Sequence, residues 1–462
     1  MSETTCSRRD FIRRNALAGM AVAGMPFVNA GAVSVKNDKA LRIAVFDVDA
    51  TPPVGSYLTY DRMIGSYDLG LRAKGIVLSG ADAPIVLCAV DWIGIANESQ
   101  DVFKQTLADA AHTTPDRVAV HVLHQHDAPI CDFSAEKALK ASGIAPQSFD
   151  GAFARQLLER LGKAVEEALT RQQDITRIGL GKAPVYQVAS NRRIVKNGKV
   201  GAMRATACKD TALRDEPEGL VDPDVTLISF WNEQSPIAVL TFYATHPQSY
   251  YLTGVANPDF PGIARFYRQL AVPDALHVHF NGAGGNIGAG KYNDGSHENR
   301  LVLAQRLADG MERAWRNSVV TPVSAAEVSW QTLPVLLPTV KEMEEQVERQ
   351  IKTADMRFLS NNMPKLVWLK RRQSGTAINI SCLTAGKARV LFMPGELFVE
   401  YQLAAKAFRP ELAISMAAYG DYGPFYIGTK DAYAQGGYEI SVSPVTSEAE
   451  EMLMDTIRQL LR

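Results

Sequence analysis

The sequence has few of the features that mark several classes of protein. Its 462 residues include five cysteines, with no Cys-x-x-Cys pair and no regular spacing, which argues against a disulfide framework. The formal net charge is -1, so the chain lacks the basic excess that favours nucleic-acid binding. No repeat, low-complexity tract or Pro/Ser/Gly-rich linker divides it. With 46% hydrophobic and 21% charged residues, the composition predicts a large globular domain with mostly buried thiols.

A hydrophobic run long enough to span a bilayer comfortably is also missing near the N-terminus. The mildly apolar stretch there covers only residues 16–28. It follows S-R-R-D-F-I at residues 7–12, which matches the twin-arginine export pattern, and it ends at small residues. We therefore predict that residues 1–32 are a twin-arginine signal peptide and that the mature chain is periplasmic or secreted. A cytosolic protein with a basic amphipathic start is the alternative.

Strand and helix patterns are mixed along the chain. Strands are predicted at 41–48, 74–79, 84–90, 117–124, 225–231, 236–244, 275–281, 388–393 and 412–418. Helices are predicted at 99–112, 150–170, 260–270, 297–316, 339–352, 397–407 and 446–461. The runs 225–231 and 236–244 form a hairpin pattern. Antiparallel hairpins among helices predict an α/β fold with a mixed β-sheet core flanked by helices, not a purely parallel sheet.

Two histidines stand at the end of the apolar run 118–123. Because strand side chains alternate between faces, His124 and His126 are predicted to lie on one face, about 7 Å apart. Two neutral imidazoles there supply two metal ligands, or one ligand and one proton-transfer group. Hydrogen bonding to loop carbonyls is the simpler interpretation of such a pair.

Three further segments place a possible ligand at or just after a short apolar run. His246 follows the run 239–245, Glu396 follows 390–395, and Tyr426 lies in G-P-F-Y-I at 423–427. In open α/β folds ligands gather outside the carboxyl ends of strands, so four such ends can meet at one crevice. Taken singly, each residue has a structural explanation, such as a helix N-terminal charge for the glutamate. Their joint order is the informative feature.

That order resembles the neutral/alkaline ceramidase family. The matching motifs are H-Q-H-D-A-P at 124–129, F-Y-A-T-H-P at 242–247, P-G-E at 394–396, the tyrosine-rich segment 426–439, and shorter motifs at 51–55, 70–73, 190–192, 222–225 and 259–262. Together they span almost the whole mature chain. The resemblance implies a single catalytic domain over residues 33–462. Full-length ceramidases continue into an immunoglobulin-like domain, which we do not expect here.

The resemblance also implies a catalytic zinc site. The implied zinc ligands are His124, His246, Glu396 and Tyr426. A water in the open position would be activated by the zinc, which also polarises the scissile carbonyl of an N-acyl amide. His126 is implied as the acid/base that hands a proton to the departing amine. Arg192 and Tyr438 are implied to stabilise the tetrahedral oxyanion, although a surface arginine and a core tyrosine are their simpler interpretations.

Three positions depart from the family pattern and are predicted to contact substrate. In the glycine-rich strand exit 279–288, Asn286 replaces an acidic residue and Gly288 stands where the family has a serine. Asp127 places a carboxylate beside the histidine pair, where the family has a small residue. It either orients His126 or holds a positively charged or hydroxyl-rich substrate. The zinc centre is thus predicted to be intact and the substrate contacts changed.

Three functions follow as hypotheses. The first is an exported zinc amidohydrolase of sphingolipid metabolism that cleaves ceramide-like lipids, which predicts a deep, narrow apolar slot. The second is a zinc hydrolase or lyase for a polar, carbohydrate-derived substrate, with Asp127, Asn286 and the segment 419–438 lining an open polar cleft. The third is a non-catalytic zinc-binding protein. The expected partner is a small-molecule or lipid substrate, with no nucleic acid and no transmembrane segment in the mature chain.

A helical stripe is predicted between residues 339 and 372. It places Val340, Met343, Val347 and Ile351 on one face and ends in the basic run K-R-R at 370–372. Such a helix covers the site, lies on a membrane surface or packs in the ordinary way. Its narrow stripe favours ordinary packing.

Overall fold

Strands and helices mix throughout the computed structural model, which describes residues 40–340 and 342–462. The predicted signal peptide at residues 1–32 lies outside the described residues. Within them, no helix has the length and apolar character needed to cross a membrane. The cysteines at 88, 131, 208 and 382 are buried free thiols, as predicted.

The strands form several sheets and the helices lie between them in sequence. In chain order the strands are β1 (Arg42–Asp49), β2 (Gly65–Ser66), β3 (Arg72–Gly80), β4 (Asp82–Val90), β5 (Gly94–Ile95), β6 (Val118–Val122), β7 (Ile130–Cys131), β8 (Gln173–Asp174), β9 (Arg177–Pro184), β10 (Ser190–Asn191), β11 (Arg193–Lys196), β12 (Lys199–Met203), β13 (Asp224–Asn232), β14 (Ser235–Tyr243), β15 (Val255–Ala256), β16 (Leu276–Asn281), β17 (Ile287–Gly288), β18 (Val319–Pro322), β19 (Val328–Val335), β20 (Ile378–Ala385), β21 (Ala388–Phe392), β22 (Glu396–Leu397), β23 (Ala413–Ala417) and β24 (Tyr426–Ile427). The helices are α1 (Glu98–Ala110), α2 (Phe133–Ala141), α3 (Ala152–Leu169), α4 (Thr211–Asp215), α5 (Asp259–Ala271), α6 (His297–Arg316), α7 (Met343–Gln350), α8 (Met356–Gln373), α9 (Val399–Phe408), α10 (Lys430–Gln435), α11 (Tyr438–Ser441) and α12 (Ala449–Leu460).

Three larger sheets carry the architecture. The first runs β6-β4-β3-β1-β8, the second β16-β14-β13-β9-β18 and the third β19-β20-β21-β23. In each sheet the pairs are antiparallel except one at an edge, namely β4 with β6, β14 with β16, and β21 with β23. The predicted hairpin is the antiparallel pair β13 and β14. The predicted mixed α/β fold is confirmed, because each sheet combines both pairings.

The inner faces of the three sheets share one apolar core. Ile76 from the first sheet, Phe230 from the second and Val390 from the third belong to the same buried cluster. Helices cover the outer faces, with α1 and α3 on the first sheet, α5 and α6 on the second, and α9 and α12 on the third. Strands β4, β6 and β14 are buried on both faces because they lie between these layers. This arrangement explains their continuous apolar runs.

The segment after residue 339 differs from its prediction. The helix predicted at 339–352 is the shorter α7, and a second helix, α8, follows it. Asp355 begins α8, since its side chain accepts a hydrogen bond from the Phe358 backbone amide at 2.7 Å. Lys370 and Arg371 pair with Glu348 and Asp101. The basic cluster therefore makes ordinary ion pairs, and the N-terminal part of α8 reaches the site described below.

Candidate active site

The loops that follow the strands of the three large sheets meet at one place. His124 follows β6 of the first sheet, His246 follows β14 of the second, and Glu396 follows β21 of the third. Tyr426 lies beyond β23 and pairs with Glu396 through the short parallel strands β22 and β24. The four side chains line a single cavity of about 400 Å³. Convergence of these segments was predicted, and the structure shows it.

His124 and His126 converge for a different reason from the predicted one. Strand β6 ends at Val122, so neither histidine lies on the strand. His124 has a φ of 67°, in the left-handed region that non-glycine residues rarely occupy. Its amide donates to the Trp92 carbonyl at 2.9 Å, which fixes this turn. The two ring centres lie 5.2 Å apart. A strained loop therefore brings the imidazoles together, and strand alternation does not.

The hydrogen bonds of His124 define which of its ring nitrogens can bind a cation. Its Nδ1 lies 2.7 Å from the Ile93 carbonyl oxygen, which only accepts, so this nitrogen carries a proton. Its Nε2 then has a free lone pair when the ring is neutral. That nitrogen lies 3.3 Å from Oε2 of Glu396. Two lone pairs at that separation repel each other unless a proton or a metal cation lies between them.

A second imidazole faces the same carboxylate oxygen. Nδ1 of His246 lies 3.9 Å from Oε2 of Glu396. Both atoms are buried without a hydrogen-bond partner among the described residues, although such groups normally have one. Ligand atoms placed about 2.0–2.1 Å from a tetrahedral zinc ion lie about 3.3 Å from one another. The buried donor atoms of His124, His246 and Glu396 therefore fit one small cation.

His126 approaches the same group from the cavity side. Its Nε2 lies 3.1 Å from Nε2 of His246, and its Nδ1 lies 3.4 Å from Nε2 of Gln248. Ligand atoms of His124, His126 and His246 all lie within 4.8 Å of one another, so these three histidines could hold a metal ion. Burial lowers the pKa of His126 well below its ordinary value, and His124 and Arg192 lower it further. Burial and Arg192 act on His246 in the same direction. Both imidazoles are therefore neutral near pH 7.

A tyrosine from the segment 419–438 binds the glutamate. The Tyr422 hydroxyl donates to Oε1 of Glu396 at 3.0 Å, which leaves Oε2 to face the histidines. Tyr426 lies alongside, with its ring centre 5.3 Å from the Arg192 guanidinium carbon. Burial raises the pKa of Tyr426 well above its ordinary value, while Arg192 opposes the shift. This phenol therefore stays protonated unless a further cation approaches its oxygen.

Arg192 and Tyr438 occupy different depths of the cavity. Arg192 is buried, donating from Nε to Oε1 of Glu439 at 3.1 Å and from Nη2 to the Gly285 carbonyl at 2.7 Å. The simpler interpretation of a surface arginine is therefore wrong. Burial lowers the pKa of Arg192, but Tyr426 and Glu439 raise it more, so the group is permanently charged. Tyr438 is 44% exposed and stands at the rim. It is not a core tyrosine.

The three positions predicted to contact substrate do not line the cavity. Oxygens of Asp127 accept hydrogen bonds from the Leu252 amide at 2.9 Å and the Thr253 hydroxyl at 2.6 Å. They hold the loop that carries Tyr251, whose ring lies 5.1 Å from that of His126. Asp127 therefore holds the loop whose Tyr251 packs against His126, and its own hydrogen bonds among the described residues do not involve His126.

Asn286 and Gly288 also have supporting positions. The Asn286 side chain accepts from the Val399 amide and donates to Glu400, both at 2.9 Å, and so holds the start of α9. Gly288 pairs with Ser190 between β17 and β10. A Cβ added there would lie 3.1 Å from the hydroxyl oxygen of Thr206, a cavity residue. The predicted direct contacts are corrected accordingly, because both residues bond to the elements behind the cavity.

The segment 419–438, which was predicted to line a cleft, also supplies Tyr422 and Phe425 to the cavity wall. The lining residues that the sequence did not single out are Tyr60, Met203, Ala205, Thr206, Ala207, Gln248, Tyr251, Arg357 and Asn361. Tyr60 stacks on His126 with ring centres 5.9 Å apart. Arg357 and Asn361 lie on α8. Four of the eighteen lining residues are wholly apolar and five are tyrosines, so apolar and aromatic surface lies beside polar groups in this wall.

Comparison with known proteins shows similarity in structure. Neither the protein-family models nor the curated proteins gave a match to this sequence. Among solved structures, the crystal structure of neutral ceramidase from Pseudomonas aeruginosa matches with a TM-score of 0.64 and 15% identity, over 92% of this chain and 74% of that one. A ceramidase complexed with C2 matches with a TM-score of 0.65 and 14% identity, over 92% and 75% of the two chains. The protein therefore has the neutral ceramidase fold, as the order of its motifs predicted.

Proposed function

We propose that this protein is a zinc-dependent hydrolase of the neutral ceramidase type that cleaves N-acyl amides. The observation that carries this proposal is the convergence of Nε2 of His124, Nδ1 of His246 and Oε2 of Glu396 on one buried point. Nitrogen and oxygen donors of this kind suit zinc. The fold shared with neutral ceramidase supports the same reaction class, although fold alone does not define function.

In this proposal the zinc ligands are His124, His246, Glu396 and Tyr426. A zinc ion held by them would polarise the scissile carbonyl and lower the pKa of a water molecule in the remaining position. His126 is left outside the ligand set because it is the most exposed of the three histidines, at 9%, and faces the cavity. Tyr422 holds Glu396 in place through its 3.0 Å hydrogen bond.

His126 carries the proton in the proposed reaction. Its lowered pKa keeps the ring neutral and able to accept a proton from the attacking water at neutral pH, and the imidazolium formed then donates to the departing amine nitrogen. Tyr60 stacks on the ring, and Gln248 lies beside Nδ1. These contacts orient the His126 ring. The same imidazole can therefore accept the first proton and donate it to the amine.

Arg192 and Tyr438 are proposed to stabilise the negative charge that develops on the carbonyl oxygen. The Arg192 guanidinium is held in place by Glu439 and the Gly285 carbonyl before substrate arrives. A fixed cation of this kind stabilises a developing oxyanion without reorganisation during the reaction. Tyr438 adds a phenolic donor at the rim, where its hydroxyl is accessible to a bound substrate.

Metal analysis combined with an amidase assay tests the proposal. We expect purified protein to contain zinc and to release amine from a fluorogenic N-acyl sphingosine or a shorter N-acyl amide. Chelation should abolish release, and zinc should restore it. His246→Ala should lose both metal and activity, whereas His297→Ala, which removes an exposed imidazole, should retain both. Full activity of metal-free protein would contradict the proposal.

The hydrogen-bonding groups of the cavity wall support a second candidate function, a zinc hydrolase or lyase for a polar, carbohydrate-derived substrate. Tyrosine, arginine and amide side chains make up half of the lining residues, and these groups hydrogen-bond to hydroxyl-rich ligands. Turnover of a panel of oligosaccharides by the metal-loaded protein, with no release from any N-acyl amide, would favour this candidate over the first.

The location of the reaction is also a proposal. We infer that the R-R pair at residues 8–9 directs export of a mature catalytic domain, residues 33–462, to the periplasm or the exterior. Mass spectrometry of exported protein should find cleavage after Ala30 or Ala32. Changing both arginines to lysine should retain the protein in the cytoplasm, and export of this variant at the normal rate would contradict the assignment.

A further inference from the structure

Arg357 stands at the mouth of the cavity, with its guanidinium over the Tyr60 ring. It lies in the first turn of α8 and lines the cavity. Among the described residues, no carboxylate lies within ion-pair distance of its guanidinium and no group hydrogen-bonds to it. The other cations of α8 differ, since Lys370 and Arg371 pair with Glu348 and Asp101. An exposed arginine therefore presents all five N–H donors to whatever enters the cavity.

The charges around Arg357 leave the cavity wall positive. Arg192 is compensated by Glu439, and Glu396 faces the histidines. Lys365, farther along α8, is buried with its Nζ 3.2 Å from the Val442 carbonyl and 4.6 Å from the ring centre of Phe425, a lining residue. No carboxylate pairs with it among the described residues. Any metal cation at the histidines would add to this excess.

A hydroxyl group without an assigned role extends the donor surface of this wall. Tyr251 lines the cavity and lies 5.9 Å from the Tyr60 ring, and no hydrogen bond involves its hydroxyl within the part of the chain that the structure describes. Guanidinium and phenol groups are donors that suit an anionic oxygen. The wall near Arg357 therefore combines one free charge with a neutral donor and no competing carboxylate.

The position of Arg357 indicates that it lies on the amine side of the scissile amide. Its guanidinium carbon lies 5.9 Å from the ring centre of Tyr60, and Tyr60 stacks on His126 at 5.9 Å. In the proposed function His126 donates to the departing amine. A substrate group that reaches Arg357 across Tyr60 therefore belongs to the amine side of the amide.

We propose that the substrate bears a carboxylate on its amine side, as in an N-acyl amino acid, and that Arg357 binds this carboxylate. The inference rests on the proposed function, because it takes the histidine cluster as the reaction centre. Arg357 is then a specificity determinant that separates acidic amides from neutral ones of the same length. An arginine–carboxylate pair at a half-open site supplies selectivity of about tenfold.

Matched ligands test this inference. N-hexanoylglycine and N-hexanoylethanolamine share an acyl chain and differ in a carboxylate against a hydroxyl. Their affinities for the zinc-loaded protein are measured by titration calorimetry, and their kcat/KM values are compared if both are hydrolysed. We expect the wild-type protein to prefer N-hexanoylglycine by about tenfold. Arg357→Gln should reduce this preference at least threefold, whereas Arg357→Lys, which keeps the charge, should reduce it less.

Lys370→Gln provides the matched control, because it removes one positive charge from the same helix about 20 Å away. Its preference should equal that of the wild type. A wild-type preference below threefold, or one that Arg357→Gln changes less than threefold, overturns the inference. Failure of the proposed function has a different result, namely that neither ligand is hydrolysed while the binding preference for the carboxylate persists.

Discussion

Six of the eight histidines are buried, and they form two groups that differ in their neighbours. The site group is His124, His126 and His246, and the core group is His121, His277 and His279. In the core group two rings have separate partners, namely the Ala418 carbonyl 2.8 Å from Nδ1 of His121 and the Thr241 hydroxyl 2.9 Å from Nδ1 of His279. In the site group the rings meet one another and a shared carboxylate.

Burial affects the two histidine groups in the same way. Burial lowers the pKa of each core histidine to about 3, and it lowers that of His126 and His246 as well. A ring nitrogen without a hydrogen-bond partner does not distinguish the site group from the core group either. Among the described residues, Nε2 of His277 and Nε2 of His279 also have no partner. What separates them is that ligand atoms of the three site histidines lie within 4.8 Å of one another, and two of these rings face Glu396. A depressed pKa alone therefore does not identify an active site.

The largest effect is expected from removing a zinc ligand. His246→Ala should reduce bound zinc from about one ion per chain to a trace and reduce amide hydrolysis by more than about a thousandfold. The free energy of unfolding of the metal-free protein should change little, because the imidazole leaves a cluster with unpaired donors. Zinc content by mass spectrometry and unfolding in urea measure the two quantities. Retention of zinc by this variant would place the metal elsewhere.

A smaller effect is expected at His126, which the proposal assigns to proton transfer. His126→Ala should keep the metal and lose about 10² to 10⁴ in kcat. The same variant should flatten the acidic limb of the pH–rate profile. Loss of zinc together with activity would instead place His126 in the ligand set with His124 and His246, as the 4.8 Å spacing of their ligand atoms allows.

The core group should act on stability. Its pKa values of about 3 lie below the 6.5 of an unfolded histidine, so the unfolded chain binds more protons between these values. Stability is therefore complete above pH 6.5 and is lost as the pH falls toward 3. Each ring should contribute about 2 kcal/mol of loss between pH 7 and pH 5. Urea unfolding of His279→Gln should show a shallower pH dependence by this amount, with zinc content unchanged.

The smallest effect is expected at Asn286. Asn286→Ala removes the hydrogen bonds to the Val399 amide and to Glu400 and should cost about 1–2 kcal/mol of unfolding free energy. Zinc content and the KM for a neutral amide should stay near wild-type values, because the side chain points away from the cavity. A large rise in KM without a change in stability would restore the predicted substrate contact.

His124, His246 and Glu396 were predicted as possible ligands because each follows an apolar run and strand ends converge in α/β folds. The ligand set itself came from the resemblance of their joint order to the neutral/alkaline ceramidase family, and the structure brings the three side chains to one cavity. The strand argument for His124 and His126 was nevertheless wrong. Strand β6 stops at Val122 and His124 adopts a positive φ. Local alternation cannot anticipate a turn fixed by the distant Trp92 carbonyl.

The part of the cavity wall outside the segment 419–438 could not be predicted, because it also depends on contacts between distant segments. Tyr60 and Arg357 lie on segments about 300 residues apart that meet only in the tertiary structure. The helix that carries Arg357 includes Pro364, which weakens its helical pattern. Asn286 illustrates a different error. The glycine-rich loop that carries it does follow a strand as predicted, but its side chain bonds to the start of α9 and not to the cavity. Motif matching locates a backbone segment, but the direction of a side chain depends on the elements packed against it.

In the proposed function the zinc ligands follow strands of all three large sheets, so zinc binding would require that these sheets have assembled. A chain in which only one or two sheets have formed offers a single imidazole or an isolated pair of donors, which bind zinc weakly. One zinc ion per chain in a preparation would thus indicate that the three large sheets have packed together. Residues 124 and 396 are far apart in the chain. The time course of zinc uptake during refolding would therefore report when these distant segments have come together.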